Sequence, residues 1–398
     1  MATNRMVEPA IRDAVKSAVR DAGEVLVGLS HRIHANPELG WQEHRASGWV
    51  AEVLAAAGFT VEAGIGGFPT ALRATAGSGP LHVGLCAEYD ALPGLGHACG
   101  HNIIAAMSVG AALGLRGVAD DLGLTVTVLG TPAEEGGGGK IELLDAGAFD
   151  DLHFALMAHP GPADVMEIRP LAVAHTRIRF EGRTAHAAAF PERGINAADA
   201  FTVAEVAVGL LRQQLPPHVR VHGIRTRSGD APNAIPDLAE GRWYVRADTL
   251  SDLRGLEERI WNCFRAGAVA TGATLTIEPE SQHYSEMIND QDLVAIFTRC
   301  WQETTGRRPS PAALDDAMGR ASTDMANVSL VIPSIHPYIG IGSGTAVNHQ
   351  PEFAALCATP AADAALLDGA IALALTAAQA ASDPSLSSRL TQTRQPPT

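Results

Sequence analysis

Several features that mark common protein classes are missing from this chain. Its five cysteines are odd in number and scattered, which does not make a disulfide framework. No two of them form the Cys-x-x-Cys pair that a nucleobase deaminase needs. Positive charge is in deficit: 29 Lys and Arg stand against 44 Asp and Glu, a formal net charge of -15. Such a chain has no broad basic face for phosphates, so nucleic acid and anionic membrane surfaces are excluded as expected partners. The N-terminal run from Met1 to Pro9 carries no apolar segment of signal-peptide type, and no stretch reads as long and apolar enough to span a bilayer. The expectation is a cytoplasmic protein, in a compartment where thiols stay reduced, that acts on small molecules.

What is present is a large apolar fraction. At 398 residues and 46% hydrophobic, the chain can bury a sizeable core, and its length suggests two domains. Ile11, Val15, Val19, Val25, Leu26, Leu29 and Ile33 recur every three or four positions, predicting an amphipathic helix that Asn36-Pro37 stops. A second helix is expected at about 44 to 57. The apolar runs Leu81 to Ala87 and Leu124 to Leu129 read as buried strands around an Ala/Gly-rich helix at 103 to 116, and Phe154 to Ala158 reads as a further strand ending at His159.

Rhythm changes after about residue 170. Ala172 to Phe180, Val219 to Arg225 and Gly241 to Arg246 are strand-like, with helices expected at Asn196 to Leu211 and Leu253 to Ala268. The pattern predicts a small α+β insert over 172–284. The first domain, 1–171, would resume over 285–381 with a helix near 290 to 304, and the Ser/Thr/Pro/Gln-rich segment 382–398 is expected to be a disordered tail.

Chemistry concentrates at the predicted strand ends. Cys99 and His101 place a thiolate donor and an imidazole two residues apart after an apolar strand. Glu134 and Glu135 follow another strand, His159 a third, and His349 lies near the C-terminus. Open parallel sheets bind ligands at that edge. Adjacent carboxylates point in different directions, so one can ligate metal while its neighbour faces the substrate and moves a proton. A lone Cys-x-His is weak, because buried cysteines are common core residues, but four donor segments at strand ends define a metal site.

The runs Glu88 to Pro93, His97 to Asn102, Pro132 to Gly136, Ser322 to Met325 and Asn348 to Phe353 resemble the amidohydrolase branch of the aminoacylase and glutamate-carboxypeptidase metallopeptidases. Within it the likeness is to p-aminobenzoyl-glutamate hydrolase and to dipeptidases of beta-alanyl-lysine type, and it spans about residues 25 to 378. The resemblance implies an α/β fold, a mixed, mainly parallel sheet sandwiched by helices in the manner of zinc exopeptidases, with an inserted α+β lid and dimerisation domain. It implies two divalent ions per subunit, manganese or zinc, bridged by Cys99 and a water or hydroxide, with His101, Glu135, His159 and His349 completing the ligands. Glu134 would be general base and acid, and Asp90 would orient a ligating imidazole. In the insert, His186 would reach a partner subunit's site and stabilise an oxyanion, while Asn233 and Arg246 would hold the substrate carboxylate.

The expected reaction is hydrolysis of the C-N amide bond of an N-acyl or N-aroyl amino acid or a dipeptide, by metal-bound hydroxide, in a homodimer or higher homo-oligomer. Deamination of an aromatic amine at the same centre, a non-catalytic partner subunit and a cysteine-nucleophile hydrolase built on Cys99 and His101 remain open alternatives. Leu330 stands where the nearest relatives carry histidine, so the substrate does not transfer with the reaction type. His31 and His34, one helical turn apart, have no adjoining carboxylate or thiol in sequence and are expected to be structural. His336 reads equally as pocket lining or as a packed core residue.

Overall fold

The apolar runs at 81–87 and 124–129 are strands buried along nearly their whole length. The computed structural model, which describes residues 7–309 and 321–392, contains strands β1 (Thr60–Ala63), β2 (Leu72–Gly77), β3 (Leu81–Glu88), β4 (Leu124–Thr131), β5 (Phe154–Leu156) and β6 (His159–Gly161). These are followed by β7 (Ala172–Glu181), β8 (Arg220–Ser228), β9 (Leu238–Ala247), β10 (Thr274–Pro279), β11 (Ser334–Ile335) and β12 (Tyr338–Gly340). The chain divides into two compact units, one of residues 1–169 with 287–398 and one of 170–286; the sequence reading puts these boundaries at 171/172 and 284/285.

In the first unit the sheet runs β1-β2-β4-β3-β5-β11. β3 is parallel to β4 and β5, β5 to β11, and β1 and β2 form the antiparallel edge. Parallel strands covered on both faces carry few charged side chains; β3 is apolar between His82 and its terminal Glu88, and β4 interleaves only the small Thr125 and Thr127 with Leu and Val. The helix His101–Arg116 packs on β3 and β4, and the helix Pro360–Ser382 packs on that helix in turn. The latter corrects the expectation about membrane spans: its 23 residues are long and apolar enough to cross a bilayer, yet most of them are buried in the core, which is what a helix surrounded by protein requires.

Two further expectations change. The single N-terminal helix is two, Pro9–Asp21 and Gly23–His34; both keep an apolar stripe, so periodicity alone carries the pattern across the break at Ala22. The tail expected from residue 382 forms a helix over Pro384–Gln392 with Leu386 and Leu390 buried, two apolar side chains in a polar-looking segment. The remainder of that tail lies outside the described residues.

The second unit is a four-stranded antiparallel sheet, β10-β7-β9-β8, carrying the helices Ala197–Leu211 and Leu250–Thr271. Phe180, Phe201, Trp243 and Phe264 make edge-on ring contacts in its core.

Candidate metal centre

Backbone geometry delivers the donors. After β3 the chain loops back through Gly100, whose φ of 80° is open to glycine and whose Cβ would lie 2.5 Å from Pro160 Cγ; this turn sets Cys99 and His101 at the start of the following helix. Beyond β4, a left-handed turn at Ala133 presents Glu134 and Glu135. His159 opens β6. His349, itself left-handed at φ 68°, is tied back by its N–H, which donates to the Ala98 carbonyl at 2.9 Å.

These segments converge. Cys99 Sγ lies 3.6 Å from His159 Nε2 and 3.5 Å from His349 Nε2. His349 Nε2 is 3.5 Å from Glu135 Oε1, and His101 Nε2 is 3.4 Å from Glu88 Oε2, 3.9 Å from Glu134 Oε2 and 4.0 Å from Glu135 Oε1. Donor atoms fall into two triads sharing Cys99, one with His101 and His159 and one with Glu135 and His349, each within 4.8 Å. A third triad of Glu88, His101 and Glu134 is equally close.

The electrostatics fit cations. His159 Nδ1 hydrogen-bonds the Pro160 carbonyl at 2.8 Å, which assigns the proton to Nδ1 and turns the Nε2 lone pair toward Cys99. Burial, then His336, holds His159 well below the usual histidine range, keeping it neutral as a ligand must be. His101 Nδ1 pairs with Asp90 Oδ1 at 3.0 Å, orienting Nε2 inward. Burial and Glu135 push the Cys99 thiol well up, so its thiolate is stable only beside positive charge. His101 Nε2 and Glu135 Oε1 are buried without a hydrogen-bond partner among the described residues. Buried polar atoms are seldom left so; two divalent ions held by Cys99, His101, Glu135, His159 and His349 would satisfy them.

Glu134 is 8% exposed, and burial, then Glu88 and Glu135, raises its carboxyl well above the carboxylate range. A raised carboxyl suits a group that must take up and return a proton. Beneath it lies an ion triad that the sequence did not announce. Lys140, which with Lys16 completes the chain's lysines, is fully buried and donates to Glu88 Oε1 at 2.5 Å and Asp324 Oδ1 at 2.7 Å. Its only signal in the sequence is a lysine closing the Gly136–Gly139 run, a context that reads as solvated loop.

Comparison with known proteins now settles the affiliation. The sequence profile described as Peptidase family M20/M25/M40 matches residues 84–378. The chain belongs to that family. It is 41% identical over 384 residues to the Xaa-Arg dipeptidase of Mus musculus, covering 92% of this chain and 88% of that one. It is 32% identical over 268 residues to one of the subunits of the p-aminobenzoyl-glutamate hydrolase of Escherichia coli, covering 62% and 56%. A dinuclear metal-binding peptidase of the family from Bacillus subtilis shares the fold, with a TM-score of 0.64 at 20% identity over 90% and 99% of the two chains. As an M20 member the chain is a metal-dependent hydrolase of amide bonds.

The remaining expected site residues of this M20 chain lie in its second unit. His186 and Asn233 are exposed and adjacent: the Ala187 N–H donates to the Asn233 carbonyl at 2.9 Å, and His186 bridges Ala234. Arg246 is half-buried near the far end of β9, with Nε 3.4 Å from His222 Nε2. Strand rise separates the two ends of β9 by roughly 25 Å, so one unit does not bring Arg246 to His186 and Asn233. His31 pairs with Asp363 at 2.8 Å and His34 with the Ala354 carbonyl at 2.7 Å, both structural. His336 is fully buried, its ring 5.5 Å from that of His159.

Proposed function

We propose that this chain hydrolyses dipeptides or N-acyl amino acids bearing a free carboxylate, using manganese or zinc, in a homodimer. The observation that carries the reading is the pair of donor triads sharing Cys99, with Glu134 beside them. When bound, the two ions polarise the amide carbonyl and activate water. The residues do the rest. Asp90 fixes the His101 ring, Glu134 takes the proton from the attacking water and returns it to the leaving nitrogen, and His186 donates to the developing oxyanion. Asn233 and Arg246 hold the substrate carboxylate, Arg246 through its planar fork. Because Arg246 lies near one end of β9 and Asn233 precedes its other end, the reading assigns His186 and Asn233 to the site of a partner subunit. The name of the mouse relative makes a dipeptide ending in arginine the first substrate to try, and a charge of -15 favours the approach of a cationic molecule. The reduced thiolate required of Cys99 suits a cytoplasmic setting.

The test is release of free amine from dipeptides with basic, neutral and acidic C-terminal residues, N-acyl amino acids and p-aminobenzoyl-glutamate. The protein is stripped with chelator and reloaded with manganese or zinc. Metal-dependent release that Glu134→Ala lacks is the expected result; no release from a protein carrying both ions refutes the reading. Mixing Glu134→Ala chains with His186→Ala chains should regain activity, because a mixed dimer holds one complete site. If it does not, the sites are built within single subunits.

A further inference from the structure

Ala133, the residue immediately before Glu134, adopts φ 55° and ψ 43°. An L-residue pays roughly 1–2 kcal/mol in this left-handed region, and such a conformation persists only where its surroundings over-determine it. The surroundings here come from residues 40–43. Glu43, fully buried, accepts the Ala133 N–H on Oε1 at 2.8 Å. Gly40 lies so close that a Cβ there would meet Ala133 Cβ at 3.0 Å. Trp41, itself left-handed at φ 66°, brings its Nε1 to 2.9 Å from where a Gly137 Cβ would be. On the other side of Glu134, the Glu135 N–H donates to Asp90 Oδ2 at 2.9 Å. Two buried carboxylates therefore grip the backbone amides flanking Glu134.

Nothing in the metal-centre chemistry uses Glu43. A buried carboxyl without a task is costly, and burial, then Asp90, already pushes this one up to about 7. Beside its own backbone and the Thr70 hydroxyl, what it holds is the Ala133 amide.

We propose that Glu43 is a positioning residue for the proton-transferring Glu134: by accepting the Ala133 N–H it holds the strained turn that aims the Glu134 carboxylate. This rests on the reading of Glu134 as base and acid. A carboxyl oxygen accepts that hydrogen bond whether or not its partner oxygen is protonated, and a glutamine amide oxygen accepts it as well. The required property is reach and an acceptor, not charge.

The experiment is steady-state kinetics on the metal-loaded enzyme with the dipeptide that the release assay identifies, together with bound-metal content and thermal unfolding. Glu43→Ala should lower kcat by about 10- to 100-fold, since misplacing a reacting group by about 1 Å costs on that order, with KM within about threefold and two ions retained. Glu43→Gln should stay within about fivefold of wild type on the same argument. Adding Ala133→Gly to Glu43→Ala should recover a large part of the lost kcat, because glycine adopts the left-handed turn without the Cβ penalty. If Glu43→Ala does not fold, Glu43→Asp carries the comparison: it keeps the charge but falls one methylene short, and should lose kcat where Glu43→Gln does not. An unchanged kcat in Glu43→Ala, a loss that appears in KM or metal content instead, no recovery with Ala133→Gly, or a fully active Glu43→Asp would each overturn the proposal. Glu134→Gln separates the two claims. If it is inactive while Glu43→Ala is unimpaired, only the positioning role fails; if it is active, the reading of Glu134 itself fails.

Discussion

Lys140→Met removes the ammonium that lies between Glu88 and Asp324 while keeping an unbranched side chain of similar length. Lys140, Glu88 and Asp324 are all fully buried, so neither carboxylate gains water in exchange. Breaking a buried ion pair from one side costs about 3–5 kcal/mol. At about 2 °C per kcal/mol, the low end for large domains, unfolding should come about 6–10 °C earlier at neutral pH. The pH dependence has a definite sign. Burial pushes the Asp324 carboxyl up to about 6 even with Lys140 pulling it down. A carboxyl raised above its unfolded value contributes stability at low pH that is lost as pH climbs through the folded value. Without Lys140 that value moves higher still, so the deficit should be small near pH 5 and widen toward pH 8, by up to about 1.4 kcal/mol per pH unit for one carboxylate. Thermal unfolding by circular dichroism at pH 5, 6.5 and 8, with metal content measured on the same samples, reads it directly. Lys140→Met/Asp324→Asn should recover much of the loss at pH 8, since the amide oxygen can still accept the Lys140 backbone N–H that Asp324 Oδ2 accepts at 2.8 Å. A shift below about 2 °C at pH 8, against the size expected for a buried pair, or the same shift at pH 5 and 8, would refute the reasoning.

Three other perturbations test the centre. Cys99→Ser replaces the donor common to both triads and should lower bound metal, counted by elemental analysis, to one ion or fewer while abolishing amine release. Asp90→Asn weakens the partner that orients His101 and should reduce metal affinity by about 10- to 100-fold in a chelator competition. Gly139→Ala puts a Cβ 1.7 Å from the Pro132 carbonyl oxygen; the turn carrying Glu134 and Glu135 must move, and both thermal stability and kcat should fall, whereas Gly117→Ala, with nothing within 4 Å among the described residues, should alter neither.

The proposed ligands are legible in sequence because metal-ligand chemistry admits few side chains, and Cys99, His101, Glu135 and His159 follow strands whose apolar runs can be seen, whereas His349 follows only the short β12. The strands are legible for a different physical reason: β3 and β4 are covered on both faces, so burial leaves few charged side chains along them. What holds those residues in place is less legible: Asp90 and Asp324 fall in the runs that carry the resemblance, but their partners do not show. Asp324 meets Lys140 across 184 positions of chain, Glu43 meets Ala133 across 90, and each alone looks like a solvated charge. A buried charge is tolerated only against a partner or an amide that needs it. Lys140, Asp324 and Glu43 therefore acquire meaning when the fold supplies that partner, and it is they, rather than the ligands, that decide how firmly the Glu134 turn is held.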